Sequence, residues 1–169
     1  MCGIIGTFSF QNNNDLLLKK ISKSLSLLSK RGPDFSDTYV NNSKHLIFGH
    51  ARLSIRDLSK NSNQPMVSHN KDFAITYNGE IYNSKYLYKK LSKIGFTNIN
   101  PNSDTEILFH NLINFGVDET LKDTKGMFAF GFWDEQKQKL FLARDRFGEK
   151  PIYYSNTGNQ IYFSSDLRS

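Results

Sequence analysis

The chain has 169 residues, 38% of them hydrophobic and 14% aromatic, with 14 Phe and 8 Tyr; that is enough for one domain with a ring-filled core and excludes a disordered chain. Its formal charge of +6 comes from 22 Lys and Arg against 16 Asp and Glu, with no basic run longer than a pair, which describes a solvated lysine-rich surface and excludes the clustered, aromatic-interleaved face that nucleic acid needs. The single cysteine cannot form an internal disulfide, no apolar stretch nears the roughly 18 residues of a membrane span, and no basic region precedes the apolar start. The expectation is a cytoplasmic protein with neither a signal peptide nor a membrane partner.

The first predicted element is a short buried strand, Ile4-Ile5 between Gly3 and Gly6, which holds the start of the chain inside the fold. Cys2 immediately precedes it. A lone cysteine is on its own a small buried hydrophobe, but at position two the removal of Met1 would put a thiol and a free α-amine on one residue. An unperturbed α-amine has a pKa of about 7.7 to 8, so near neutrality it can take the thiol proton directly or through a water.

Asn12-Asn13-Asn14 reads as a turn, and Asp15 caps a helix that carries Leu17, Leu18, Ile21, Leu25 and Leu28 at helical spacing to about Lys30. Arg31-Gly32-Pro33-Asp34 stops it, because Pro33 disfavours the helical conformation at Gly32; taken alone the motif is a turn. Strands are expected at 37–40 and 45–50 around a hairpin loop at 41–43. The second runs into Ala51-Arg52-Leu53-Ser54-Ile55-Arg56, where arginine among apolar residues suits either a carboxylate-binding fork or a surface ion pair. A polar loop at 59–65 follows.

Phe73 to Tyr77 reads as a strand ending in Asn78-Gly79-Glu80-Ile81-Tyr82-Asn83. Asn-Gly usually marks a two-residue hairpin turn, but a capping Asn83 and the helical pattern Leu87, Leu91 and Ile94 also allow a strand-to-helix turn. Its apex would aim the Asn78 amide and the Gly79 N–H at one point, as oxyanion donors. Ser103-Asp104-Thr105-Glu106 is a capping box opening a helix that ends at Gly116; Asp104 alone is read as a carboxylate favouring the helix dipole. Strands at 126–133, 139–145, 152–155 and 161–165 then form a meander, with polar turns at 134–138 and 156–160.

With these residues in view the sequence resembles the glutaminase domain of the class II glutamine amidotransferases, in the branch of the glutamine-hydrolysing asparagine synthetases. The motifs fall in order over nearly the whole chain: Met-Cys-Gly-Ile-Ile-Gly at 1–6, Arg-Gly-Pro-Asp at 31–34, His-Ala-Arg-Leu-Ser-Ile at 50–55, Asn-Gly-Glu-Ile-Tyr-Asn at 78–83, Ser-Asp-Thr-Glu at 103–106, Gly-Met-Phe-Ala-Phe at 126–130 and Ala-Arg-Asp-Arg-Phe-Gly-Glu-Lys-Pro-Ile-Tyr-Tyr at 143–154. Each motif is weak alone, and seven in register are specific.

The resemblance implies an α+β fold of the N-terminal nucleophile hydrolase type, a four-layer αββα sandwich of two antiparallel sheets, with residues 1–169 forming one glutaminase domain. It implies that Cys2 attacks the carboxamide of L-glutamine with its α-amine as base, and that Asn78 and Gly79 hold the oxyanion. Arg52 would clamp the substrate α-carboxylate, while Asp104, with Glu80 and the backbone of Leu53, Ser54 and Ile55, would hold the α-ammonium end. No metal or cofactor is expected in this domain. ATP and Mg belong to a synthetase domain whose Ser-Gly-Gly-x-Asp-Ser loop is absent from these residues, so the chain reads as a truncated N-terminal domain or as a subunit handing ammonia to a synthetase partner. A homodimer is compatible with this reading. Amidotransfer to a sugar or another non-aspartate acceptor, and a catalytically silent docking domain, are the alternatives.

Overall fold

Ile4 and Ile5 show how the fold is layered. Successive residues of a strand face opposite ways, and in the computed structural model, which describes residues 1–10, 15–54 and 62–169, these two belong to different cores. Ile5 packs with Leu17, Ile21, Leu25 and Leu28 of the first helical segment. Ile4 packs with Phe48, Phe163, Ala74, Ala129 and Trp133, contributed by both sheets.

Among the described residues there are nine strands and three helices: β1 (Gly3–Ser9), α1 (Asp15–Leu27), β2 (Phe35–Val40), β3 (Leu46–Arg52), β4 (Met66–Val67), β5 (Phe73–Ile81), α2 (Ser84–Ser92), α3 (Asp104–Asp123), β6 (Gly126–Asp134), β7 (Lys139–Arg144), β8 (Tyr153–Asn156) and β9 (Gln160–Ser164). One antiparallel sheet has the order β2-β3-β1-β9-β8 and the other β4-β5-β6-β7. α1 covers the outer face of the first sheet. α2 and α3 cover the second, where Leu87, Leu91, Ile107, Leu108 and Leu112 meet Ile75, Tyr77, Phe128, Phe130 and Phe132. This is the expected αββα sandwich.

Three expectations are corrected. The four C-terminal strands are not one meander: β6 and β7 pair in the second sheet, while β9 pairs with β1 and β8 in the first. The chain changes sheet through a loop wound on the Asp145 carboxylate, which accepts N–H bonds from Phe128 (3.2 Å), Phe147, Glu149 and Lys150 (3.0 Å each). Those bonds outweigh the effect of burial and hold the Asp145 carboxyl below its usual range. Second, Gly116 does leave helical geometry, with φ 79° and ψ 169°, but the chain resumes helix directly and runs on to Asp123.

Third, Asn78-Gly79 is neither a hairpin turn nor a strand-to-helix apex. Both residues lie within β5 and pair with Ala129 and Phe128 of β6. Gly79 is needed there because a Cβ would sit 2.4 Å from the Met127 carbonyl oxygen and 2.7 Å from the Phe128 Cα. Asn83 occupies the N-cap position of α2 without a side-chain capping bond. Its amide instead bridges to the end of α3, donating to Asp123 O (2.8 Å) and accepting from Lys125 N (2.9 Å).

Candidate active site

The ends of β1, β3 and β5 and the first turn of α3 converge on a cavity of about 160 Å³. Ligand pockets usually run to roughly 300–1,000 Å³, so this one suits a small metabolite. Cys2, Arg52, Leu53, Ser54, Asn78, Gly79, Glu80 and Asp104 all line it, so eight of the nine residues expected at the site are brought together. The ninth, Ile55, lies outside the described residues.

The nucleophile candidate is held by backbone. Leu53 N donates to Cys2 Sγ at 3.4 Å, and the thiol faces Leu53 O at 3.6 Å. Arg31 Nε donates to Cys2 O at 3.3 Å. Asp34 ties the next segment down: its N–H donates to Arg52 O (3.0 Å) and its carboxylate accepts from Ser54 N (2.7 Å). The motif at 31–34, read alone as a turn, thus braces both Cys2 and the strand end that carries Arg52. Met1 is in place, so the Cys2 nitrogen is a peptide amide, and Met1 Sδ takes a 3.1 Å contact from the ammonium of Lys150.

Asn78, which lines the same cavity, is 2% exposed and its Nδ2 is buried with no hydrogen-bond partner among the described residues. A buried amide donor left unpaired is costly, and such an atom in a cavity that a thiol also lines is what an oxyanion site requires before substrate arrives. Behind it, His50 Nε2–H donates to Tyr77 O at 3.1 Å, tying β3 to β5 between the sheets. Burial first, with Arg52 in support and against the bond to Tyr77, lowers the His50 pKa to about 4, so the ring is neutral.

The charged groups divide into Arg52 and Lys150 on one side of the account and Glu80 and Asp104 on the other. Arg52 Nη1 donates to Asn63 Oδ1 at 2.6 Å. Asp104, at the start of α3 and 8% exposed, accepts from Tyr77 OH (3.0 Å) and Ile81 N (2.9 Å). Burial, then the neighbouring Asp104, pushes the Tyr77 phenol well above its ordinary value, so it stays a donor. Ser103 caps α3 as expected, its hydroxyl accepting from Glu106 N at 3.3 Å, while Glu106 reaches Asn100 N at 3.2 Å. The expected reading of Asp104 as a helix-dipole partner therefore covers only part of its role.

Gln64, Tyr77 and Lys150 also line the cavity and were not singled out by sequence. Tyr77 carried a signal, its place directly before Asn78. Gln64 and Lys150 carried none, since a place in the polar loop at 59–65 or in the motif at 143–154 says nothing of where a side chain ends. Among the described residues no group of three or more His, Cys, Asp or Glu is placed to hold a metal ion, and no helix is long and apolar enough to cross a membrane.

A family model described as a glutamine amidotransferase domain matches residues 1–169. The chain is 38% identical to asparagine synthetase [glutamine-hydrolyzing] 3 of Bacillus subtilis, over 100% of this chain and 27% of that protein. It is 35% identical to a putative asparagine synthetase [glutamine-hydrolyzing] 2 of Methanocaldococcus jannaschii, over 99% of this chain and 34% of that protein. The chain thus spans a quarter to a third of the length of these relatives. In fold it is similar to a glutamine phosphoribosylpyrophosphate amidotransferase from Bacillus subtilis, with a TM-score of 0.77 at 20% identity, over 97% of this chain and 42% of that one.

Proposed function

Because the chain belongs to the glutamine amidotransferase domain family, we propose that it hydrolyses L-glutamine to glutamate and ammonia through a thioester on Cys2. The observation that carries this reading is the buried, unpartnered Asn78 Nδ2 in the same cavity as the Cys2 thiol. Once Met1 is removed, the Cys2 α-amine takes the Sγ proton and the thiolate attacks the side-chain carboxamide carbon of glutamine. Asn78 Nδ2 and the Gly79 N–H hold the oxyanion. As the C–N bond breaks, the α-ammonium returns its proton to the departing nitrogen and ammonia leaves. The amine then deprotonates a water, which attacks the thioester and frees glutamate.

Arg52 anchors the α-carboxylate in this scheme, and Asp104 and Glu80, with the backbone at 53–55, receive the α-ammonium. A cation at one end and carboxylates at the other select a free amino acid over a peptide. The hydrolytic step uses side-chain and backbone groups alone. The ammonia passes to a synthetase domain or partner, with aspartate as its acceptor, and ATP and Mg serve that later step.

The test is glutaminase activity measured together with intact mass. Protein lacking Met1 should release ammonia from glutamine, and Cys2→Ala should release none while keeping its melting temperature. Full activity in a homogeneous preparation that retains Met1 would refute the terminal-amine base; inactivity of the processed wild type would favour a silent docking domain.

A further inference from the structure

We propose that Gln64 is a further substrate-binding residue, whose side-chain Nε2 donates to the same α-carboxylate that Arg52 clamps; this rests on the glutaminase reading above. Gln64 lies just before β4, is 5% exposed, and lines the cavity. Its Oε1 accepts from Tyr77 N at 2.6 Å. That bond decides the orientation of the amide, because a backbone N–H needs an acceptor and only the oxygen can serve. The NH2 group is therefore the half left to give hydrogens, and it has no hydrogen-bond partner among the described residues.

A donor cannot serve the α-ammonium of an amino acid, which leaves the α-carboxylate and the side-chain carbonyl as its targets. The carbonyl already has Asn78 Nδ2 and Gly79 N–H in the proposed reaction. The carboxylate has Arg52, whose Nη1 is fixed by Asn63, the residue next to Gln64. Two consecutive residues thus hold the guanidinium and present the amide, and a neutral donor beside a guanidinium gives a carboxylate's second oxygen a partner.

Gln64→Glu separates this from a purely structural role, since it keeps an oxygen for the Tyr77 N–H while replacing the donor with a negative acceptor. In Met1-processed protein, KM for L-glutamine should rise by about tenfold or more with kcat within about threefold. The preference for glutamine over its α-amide should shrink by a similar factor, because the α-amide lacks the charge being read. An unmoved KM in an active variant would reduce Gln64 to a brace for the edge of β5. A fall in kcat at constant KM would place the donor on the reacting carbonyl; either result overturns the proposal while leaving the glutaminase reading intact. An inactive wild type would overturn both. Should Gln64→Glu fail to fold, the side-chain NH2 signals of Gln64 in ¹⁵N-labelled Cys2→Ala protein decide the matter. A shift on saturation with glutamine but not with its α-amide supports the assignment, and no shift with either overturns it.

Discussion

Asn78 and Arg52 hold opposite ends of the substrate in the proposed reaction, so their substitutions should fail in different ways. Asn78→Ala removes a donor that matters when charge develops on the oxygen, and kcat should fall by roughly 10²- to 10³-fold with KM little changed. Arg52→Lys keeps a charge but loses the planar fork, including the nitrogen that Asn63 steadies, and should chiefly raise KM. Steady-state kinetics on the two variants checks both, and an exchange of the two patterns would reverse the roles. These residues were legible because each sits in a contiguous motif that the family resemblance carries; read locally, Arg52 suited a surface ion pair equally and Asn78-Gly79 a turn that β5 does not make. Lys150 shows the limit: it stands in the motif at 143–154, where the Asp145 carboxylate winds the loop so that Lys150, 6% exposed, lines the cavity and reaches Met1. Asp145 stands only five residues earlier in the same motif, but that its carboxylate would gather the N–H groups of Phe147, Glu149 and Lys150 together with that of Phe128 on β6 is not written in the order of the residues.

The segment from Leu28 to Arg52 shows what an element contributes to the site. α1 ends at Leu27, short of the expected Lys30, and Gly32 N donates back to Leu28 O at 3.2 Å while the glycine lies against the end of β3. A Cβ at Gly32 would stand 2.1 Å from Ala51 O and 2.5 Å from Arg52 N, both rigid backbone of a central strand. Gly32→Ala should therefore destabilise the protein by about 1–3 kcal/mol, as overpacking does, which for a chain of this length lowers Tm by roughly 2–4 °C per kcal/mol. It should also reduce glutaminase activity beyond the loss of folded protein, since Arg31 and Asp34 would shift from Cys2 and Ser54. Calorimetry with activity measured well below Tm tests this, and a variant of unchanged Tm would show that β3 yields. The Asn-Gly pair misled at the same scale for the opposite reason. Its turn propensity is local, whereas nine paired positions with β6 carry the strand straight through it.

At the scale of the molecule, helical and strand periodicity together with the family motifs made the sandwich legible, but not which strands share a sheet, because hairpin signals fix neighbours in sequence and not the sheet they join. The seam between the sheets carries a consequence of its own. His50 joins β3 to β5 there as a fully buried neutral ring whose Nδ1 has no partner among the described residues. Its folded pKa, about 4 against an ordinary 6.5, is depressed, so below 6.5 the unfolded chain binds a proton that the folded one refuses. Stability is then complete above pH 6.5 and declines as the pH falls toward 4, by about 3 kcal/mol from this group alone. His110, partly buried and likewise lowered by burial, adds loss of the same sign. The Glu135 and Asp145 carboxylates, held below their ordinary 4.5 and 3.8, add losses only once the pH falls to those values, so the window from 6.5 to 4.5 belongs to the histidines. Denaturant unfolding from pH 7 to 4.5 should show this decline. His50→Gln, which can keep the donor to Tyr77 O and cannot be protonated in this range, should flatten it while lowering stability at pH 7; a slope identical to wild type would mean that His50 takes up its proton without parting the sheets.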